Sequence, residues 1–509
     1  MINQKSVKNR FLTSLFANIF RSAISLITGL LIARWLGPSD YGRMSFLIVS
    51  FTAFRTLMDM GSSSAYFTFL SQRKRSKKFV SFFWRWIGLQ FMFILVLVGL
   101  LFPSNLINEI WKGESRSLVI LALVTTFVQL TVWPITSQMA EANRKTIAIQ
   151  RLNTIVVIIH LFVLLFLWYF GRMMLPSIFI ALIVEWSIAS WIASKMYSNS
   201  IDDVPTLNDE LDTPSSVFNE FFKYCLPFIP YAWISFTHDF ADRWMLQRWG
   251  GAKEQAFYTI SYQLATISLL ATTSILRIFW KEIAEANFNN DFERVKQLYL
   301  RVSKGLYFIA SISAGAFVPW TSEIINILLG NQYKGAYTTM LLMFVYPIHQ
   351  SIGQIGSTML MATNKTSVQV KLGIGFMLVS IIVVYFMLAP SDALIPGLGL
   401  ASGGLAWKMV LMQFLQVNIL IWLLSKIFNW EYDWKFQIYG LLPTIILGFF
   451  IKIFIVTFFE LHVILNLIIY GFLYIASISL LVLSFPGIAG LSKNELLDMI
   501  PQFKNHITK

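Results

Sequence analysis

The sequence predicts an all-α integral membrane protein of about fourteen transmembrane helices, built from two related halves. Three observations predict it. Hydrophobic residues fill 56% of the 509 positions against 13% charged, and the mean hydropathy is +0.64. No water-soluble domain can hide that much apolar surface, so the solvent is a bilayer. The apolar residues fall into runs of about 20, the length a helix needs to cross the hydrocarbon core. Finally, the polar hairpin Leu31–Arg43 between two apolar runs has an echo roughly 200 residues later in Arg248–Tyr258, the mark of an internal repeat.

Taken in order, the spans are predicted near 11–33, 42–60, 79–102, 116–138, 151–170 and 174–197. Eight more lie near 218–242, 256–280, 303–320, 335–361, 366–389, 399–424, 436–457 and 462–485. Gly37-Pro38 stops the first, because proline lacks the amide donor and disfavours a helical residue before it. Ser39 and Asp40 are suited to cap the next helix, with Trp35, Tyr41, Arg34 and Arg43 setting the depth of the turn. Basic residues gather in alternate loops: Lys5, Lys8 and Arg10; Arg73 to Lys78; Arg144, Lys145 and Arg151; Lys195 and Lys223; Arg277 to Lys304; Lys365, Lys371, Lys426 and Lys435. That asymmetry predicts an even number of spans with both termini cytoplasmic, and it assigns the net charge of +14 to membrane orientation and anionic headgroups, with no nucleic-acid partner.

Domain boundaries follow from composition. Residues 1–197 form an N-terminal lobe of six spans. Residues 198–217, with Asp202, Asp203, Asp209, Glu210, Asp212, Pro205 and Pro214, read as an extended cytoplasmic linker. Residues 218–424 form a second six-span lobe, and 425–509 add two spans and a polar tail from Ser492. Lys281 to Lys304 is expected to form an amphipathic cytoplasmic helix or loop. Lys5, Lys8 and Arg10 lead straight into a span with no small-residue cleavage pattern, so no cleavable signal is expected. The lone Cys225 excludes an intrachain disulfide and disfavours a thiolate metal site.

The hairpin Arg34–Arg43 resembles the start of the polysaccharide-exporter branch of the multidrug/oligosaccharidyl-lipid/polysaccharide (MOP) exporter superfamily. His238–Leu246, followed by Gly250-Gly251 and Phe257–Tyr262, resembles that family's second-half signature, an Asp-Arg pair before a turn, a glycine and a Tyr/Ser-rich helix. The resemblance implies two six-helix lobes around a central cavity, plus a C-terminal helix pair suited to a lipid tail. It implies an O-antigen (Wzx-like) or related flippase that moves an undecaprenyl-pyrophosphate-linked oligosaccharide across a bacterial inner membrane by alternating access. Fourteen spans also resemble lipid II flippases and some teichoic-acid or exopolysaccharide exporters, which leaves O-antigen, capsule, teichoic acid and peptidoglycan precursors all open. A polymerase and a chain-length regulator are the further partners that such a pathway implies.

Such a cargo needs cations inside the membrane, and each intramembrane charge is costly enough to require a reason. In span one, Ser14, Asn18, Arg21, Ser25 and Thr28 recur at helical spacing on one face, placing Arg21 toward a bundle interior where its fork can bind two phosphate oxygens. The alternative is an arginine snorkelling to a helix end. Span two sets Arg55 one turn from Asp59: either a local salt bridge or a cavity arginine whose carboxylate partner yields to phosphate. Thr273, Arg277 and Lys281 share a face near the inner end of span eight, as substrate contacts or as ordinary orientation charges. Asp239, Asp242 and Arg243 are candidates for gating or cation coupling, against a hairpin-stabilising ion network. Glu185 is the best isolated candidate for coupling to a proton or sodium gradient, with Arg85 and Lys408 as further intramembrane charges.

The five histidines show no metal-ligand spacing, and no Gly-x-x-x-x-Gly-Lys loop points to ATP as fuel, so no cofactor is expected beyond an ion gradient or the membrane potential. The glycines Gly399, Gly403 and Gly404 read as close helix packing. Competing functions are a cation-coupled multidrug exporter of the same superfamily and a membrane glycosyltransferase or polymerase. An exporter of organic cations needs cavity carboxylates, whereas arginines predict an anionic cargo. A transferase needs catalytic carboxylates near long outer loops, and every outer loop here is short, so the chain is expected to be a transporter and not an enzyme.

Overall fold

The computed structural model describes residues 4–72, 75–143, 145–201, 213–459 and 461–491, and the regular structure among them is entirely helical. The acidic residues of the predicted linker and the tail from Ser492 lie outside the described residues. The chain divides into two compact units, Met1–Ala256 and Phe257–Lys509.

The first unit contains α1 (Gln4–Asp59), α2 (Ser62–Gln72), α3 (Lys77–Val96), α4 (Ser104–Trp111), α5 (Arg116–Phe127), α6 (Trp133–Ala142), α7 (Thr146–Tyr169), α8 (Leu175–Ile201), α9 (Pro214–Cys225) and α10 (Ile229–Trp249). The helix α11 (Gly251–Ala265) crosses the boundary between units. The second unit then holds α12 (Leu270–Phe288), α13 (Phe292–Phe317), α14 (Thr321–Leu328), α15 (Tyr337–Ala362), α16 (Thr366–Leu388), α17 (Ala401–Phe428), α18 (Phe436–Phe458) and α19 (Val463–Ser484). Among the described residues nine helices are long and apolar enough to cross a membrane, and ten if the bent pair α13–α14 is one span. Counting the two arms of α1 separately, and adding α10, α11–α12 and α15, gives the fourteen segments expected from the sequence.

Gly37 divides α1 into those arms. Its φ of 75° and ψ of 169° are open to glycine and strained for any residue with a Cβ, and Pro38 starts the second arm. Arg43 fixes the bend, clamping Glu114 with Nε and Nη2 at 2.7 and 2.8 Å and donating to Asp40 at 2.9 Å. Trp35 stacks on Trp168 of α7 at 5.3 Å. The echo hairpin packs here too: the helical Gly42 faces Ala252 so closely that an added Cβ would overlap the Ala252 carbonyl. Beyond the membrane helices, the exposed Glu109 carboxyl is held below its usual range by a hydrogen bond from Lys112, with the charges of Lys112 and Arg248 adding to it.

Three expectations change in detail. The predicted span near 218–242 is two helices, because Pro227 and Pro230 break the amide ladder and Leu226–Phe228 becomes a tight turn. The first of these, α9, is amphipathic and buries Val217 and Phe221 among Ala65, Tyr66, Phe69, Phe79 and Phe83. Helix α2 is a separate element where the apolar pattern shows none. Lys281 to Lys304 is no separate helix: α12 runs to Phe288, Asn290 turns with φ 58°, and Asp291 caps α13 by accepting from the Arg294 amide at 3.0 Å.

Arg75 ties α9 to the rest of the unit. It is 4% exposed, donates to both Glu220 carboxylate oxygens at 2.9 and 2.6 Å, and lies over the rings of Phe69 and Phe79 at 5.3 and 4.6 Å. Truncating it strands a charge-assisted bidentate contact, so Arg75→Leu is expected to cost about 1.5–3 kcal/mol, read as earlier thermal unfolding in detergent; an unchanged transition would contradict that role.

In the second unit, α13 crosses α18 at two glycines. A Cβ on Gly448 would overlap the Gly315 carbonyl, and Tyr470 and Tyr474 of α19 donate to the Gly315 and Ile312 carbonyls at 2.8 and 3.0 Å. The predicted C-terminal pair is thus bolted to α13 by close backbone approach and two buried phenols, the packing that small residues allow where lipid supplies no hydrophobic drive.

Candidate functional site

Helix ends make the site. The second arm of α1 terminates where Met60 and Gly61 turn with φ 43° and 84°. Asp59 reaches across that turn: its Oδ1 accepts from the Ser63 amide at 3.0 Å, the Ser62 hydroxyl at 3.1 Å and the Ser63 hydroxyl. This is a cap, satisfying amides that α2 leaves without helical partners. The carboxylate is therefore spent one turn away from Arg55, and the local Arg55–Asp59 salt bridge weighed from the sequence is not made. Among the described residues Arg55 has neither an ion-pair nor a hydrogen-bond partner.

Arg55 instead lines a small recess among α1, α3 and α5. Its wall is largely apolar, with Phe51, Met58, Ile87, Ile94 and Leu123 and with Phe91 stacked on Phe127 at 4.1 Å. The polar lining is Arg55, Asp59, Gln90, Thr126 and Thr131. Gln90 donates to the Met58 carbonyl at 2.7 Å, one of the free carbonyls at the end of α1. Thr126 is 3% exposed and its hydroxyl has no partner. One guanidinium without an ion-pair partner and one orphaned hydroxyl thus share a largely apolar recess with the capping carboxylate of Asp59. Asp59 also lines a second, aromatic recess with Phe82, Trp86, Phe218 and Phe222.

The other candidates are dispersed. Arg21 is half-buried on the first arm of α1, where it feels the charge of Glu141 on α6; Glu141 in turn accepts from Gln150 at 3.3 Å. Arg21 is not among the residues lining the Arg55 cavity. Ser25 is exposed, Thr28 is buried and bonds back to its own helix, and Lys281 is exposed on α12. Asn18 and Arg277 occupy helical positions, but their side chains lie outside the described residues. On α10, Asp239 meets His238 Nδ1 at 2.8 Å, and Asp242 lies 4.0 Å from its Nε2. Arg243 is drawn into the hairpin, donating to Gln255 at 3.3 Å while the fully buried Gln255 amide returns a bond to the Arg243 carbonyl.

Glu185 is not isolated. His160 of α7 meets it at 2.8 Å. That contact, the Thr126 hydroxyl and the capping role of Asp59 all escape sequence reasoning. Of the three, only Asp59 carries a signal, since Asp-x-Gly-Ser-Ser is a helix stop followed by a cap.

The family model described as polysaccharide biosynthesis protein matches residues 6–279. Among solved structures the chain is similar to the lipid II flippase MurJ in an inward closed conformation, with a TM-score of 0.71 and 16% identity over 92% of this chain and 98% of that one. It is similar to a multidrug resistance MATE family transporter of the MOP superfamily in an inward-facing conformation, with a TM-score of 0.58 and 12% identity over 82% and 98% of the two chains. A MOP superfamily transporter from Pyrococcus furiosus gives a TM-score of 0.55 and 11% identity over 84% and 96%. No curated protein matches the sequence. At such identities the likeness is one of fold. By its family match the chain belongs to the polysaccharide biosynthesis protein family, with the fold of the MOP superfamily.

Proposed function

We propose that this protein is a flippase for a lipid-linked oligosaccharide, turning an undecaprenyl-pyrophosphate-borne repeat unit from the cytoplasmic to the outer leaflet of a bacterial inner membrane, with both termini cytoplasmic. The family match and the fold support transport of a lipid-linked substrate. One observation carries the assignment of the site: Arg55 faces a recess with its own neighbouring carboxylate engaged elsewhere. A guanidinium beside an apolar wall recognises a diphosphate bidentately, and the low dielectric strengthens that contact. Arg21, Asn18 and Ser25 on the first arm of α1, and Arg277 and Lys281 on α12, are assigned to further contacts along the route of the headgroup. Asp239, Asp242 and Arg243 are assigned to gating.

The sign of the free charge separates this reading from a drug exporter, because a cavity for organic cations must offer an available carboxylate. Expression in a strain lacking its own flippase is expected to restore surface polysaccharide and to leave accumulation of a fluorescent organic cation unchanged. Lowered dye accumulation without restored polymer would reverse the assignment.

A further inference from the structure

We propose that His160 and Glu185 form a proton-carrying site inside the first unit, the point at which a proton gradient acts on transport. The pair is built for one small cation. His160 Nδ1 lies 2.8 Å from Glu185 Oε2, and the two side chains are 15% and 7% exposed. The second carboxylate oxygen, Oε1, is buried with no partner. Both residues sit mid-helix, 14 residues from the start of α7 and 10 from that of α8, in segments long and apolar enough to cross a membrane. One turn away on each helix, Val156 and Ala189 belong to an apolar cluster against Trp133 and Trp186.

The chemistry follows from counting protons. With a neutral imidazole whose Nδ1–H faces the carboxylate, the pair carries one negative charge in a dry, apolar place, which is costly. Adding a proton gives a neutral pair, with one proton between Nδ1 and Oε2 and another on Nε2. The loaded pair is stable while sealed, and it gives the proton back only when water reaches it. Imidazole is the side chain whose charge changes in the physiological range. Among the described residues no third His, Cys, Asp or Glu joins the two.

Among the described residues, the charges on the surrounding elements lie away from the pair. On the helices packed around the pair, Arg21 and Glu141 sit near Gln150, about 15 Å down α7 by helical rise. Arg34 is beside Trp35, which stacks on Trp168 toward the other end. Arg116 of α5 donates to the Gly99 and Phe102 carbonyls, and Lys195 of α8 lies over Trp191. The charges and phenols of α1 from Asp40 to Asp59 lie on its second arm, while Arg151 and Tyr169 lie toward the two ends of α7.

The purpose of this site rests on the flippase reading, but its chemistry does not, and the test separates them. Infrared spectroscopy of the purified protein in lipid, titrated from about pH 5 to 9, is expected to show a carboxyl step that is lost in Glu185→Gln and displaced in His160→Gln, with both variants monodisperse by size exclusion. A step that persists unchanged in Glu185→Gln, or is missing from the wild type, overturns the proposal whatever the cargo. In proteoliposomes holding undecaprenyl diphosphate, an imposed proton gradient is expected to change the translocation rate of the wild type and leave that of Glu185→Gln unaffected. Equal responses would overturn the coupling role. Absence of translocation in wild-type vesicles with the infrared step intact would count against the lipid cargo, while the step itself still supports the proton site.

Discussion

Replacing Arg55 with alanine is expected to cut surface polysaccharide by about tenfold to a hundredfold at unchanged protein abundance, the range that a lost charge-assisted contact of about 1.5–3 kcal/mol implies. The effect should fall on transport and not on folding. Arg55 makes no ion pair or hydrogen bond among the described residues, so its removal strands nothing. Asp59 continues to cap α2 through Ser62 and Ser63 in the variant. Lysine keeps the charge but loses the planar fork, so Arg55→Lys is expected to recover part of the polymer. Thr126→Val is expected to have a smaller effect of the same kind, since its hydroxyl lines the same recess without a protein partner. Quantitative blotting of membranes beside an immunoassay of surface polymer separates lost transport from lost protein. Normal polymer from a well-expressed Arg55→Ala variant would refute the role given to this side chain.

Gly42→Val is expected to fail in the opposite way, through the fold. The obstacle at Gly42 is the Ala252 carbonyl, which is backbone and cannot rotate away. Tyr41, Met44 and Gln255 nearby are 4%, 7% and 0% exposed, so little room exists for a compensating shift. Overpacking a buried contact costs about 1–3 kcal/mol and more where backbone must move, which is enough to deplete the folded protein in membranes. The loss of surface polymer should then track the loss of protein. Gly251→Ala provides the contrast. Its φ of 80° strains a Cβ, yet nothing lies within 4 Å of it, so about 1–2 kcal/mol of backbone strain is the expected cost. Fluorescence-detected size exclusion after heating ranks the two; equal stabilities would show that the two hairpins do not meet as described.

Much of the architecture is legible in the sequence because a bilayer imposes length and polarity on every span. Gly37-Pro38 announces the bend in α1, and the end of α7 and the start of α8 fall within a few residues of their apolar runs. The features that escape are tertiary or local. Pro227 and Pro230 sit inside a run apolar enough to read as one span, yet they divide it into α9 and α10. Lys281 to Lys304 shows the right charge pattern for a surface helix, but Asn290 and Asp291 turn the chain between two membrane helices instead.

The site is legible in part. Mid-span charge marks Arg55 and Glu185, since a bilayer makes such residues rare. Their surroundings depend on contacts that spacing does not encode. Asp59 lies one helical turn from Arg55 and would read as its partner, until the helix end at Met60-Gly61 claims the carboxylate for α2. His160 and Glu185 are 25 residues apart, and only the pairing of α7 with α8 brings them to 2.8 Å.

The Arg55 recess is proposed to receive the diphosphate of a polyprenyl-linked sugar. This is tested most directly by photo-crosslinking a polyprenyl diphosphate probe to the purified protein in nanodiscs and mapping the labelled peptides. Labelling is expected on α1 near Arg55 and on α3 near Gln90, competed by undecaprenyl diphosphate and sharply reduced in Arg55→Ala. Labelling confined to other helices, or equal in the wild type and Arg55→Ala, would contradict it.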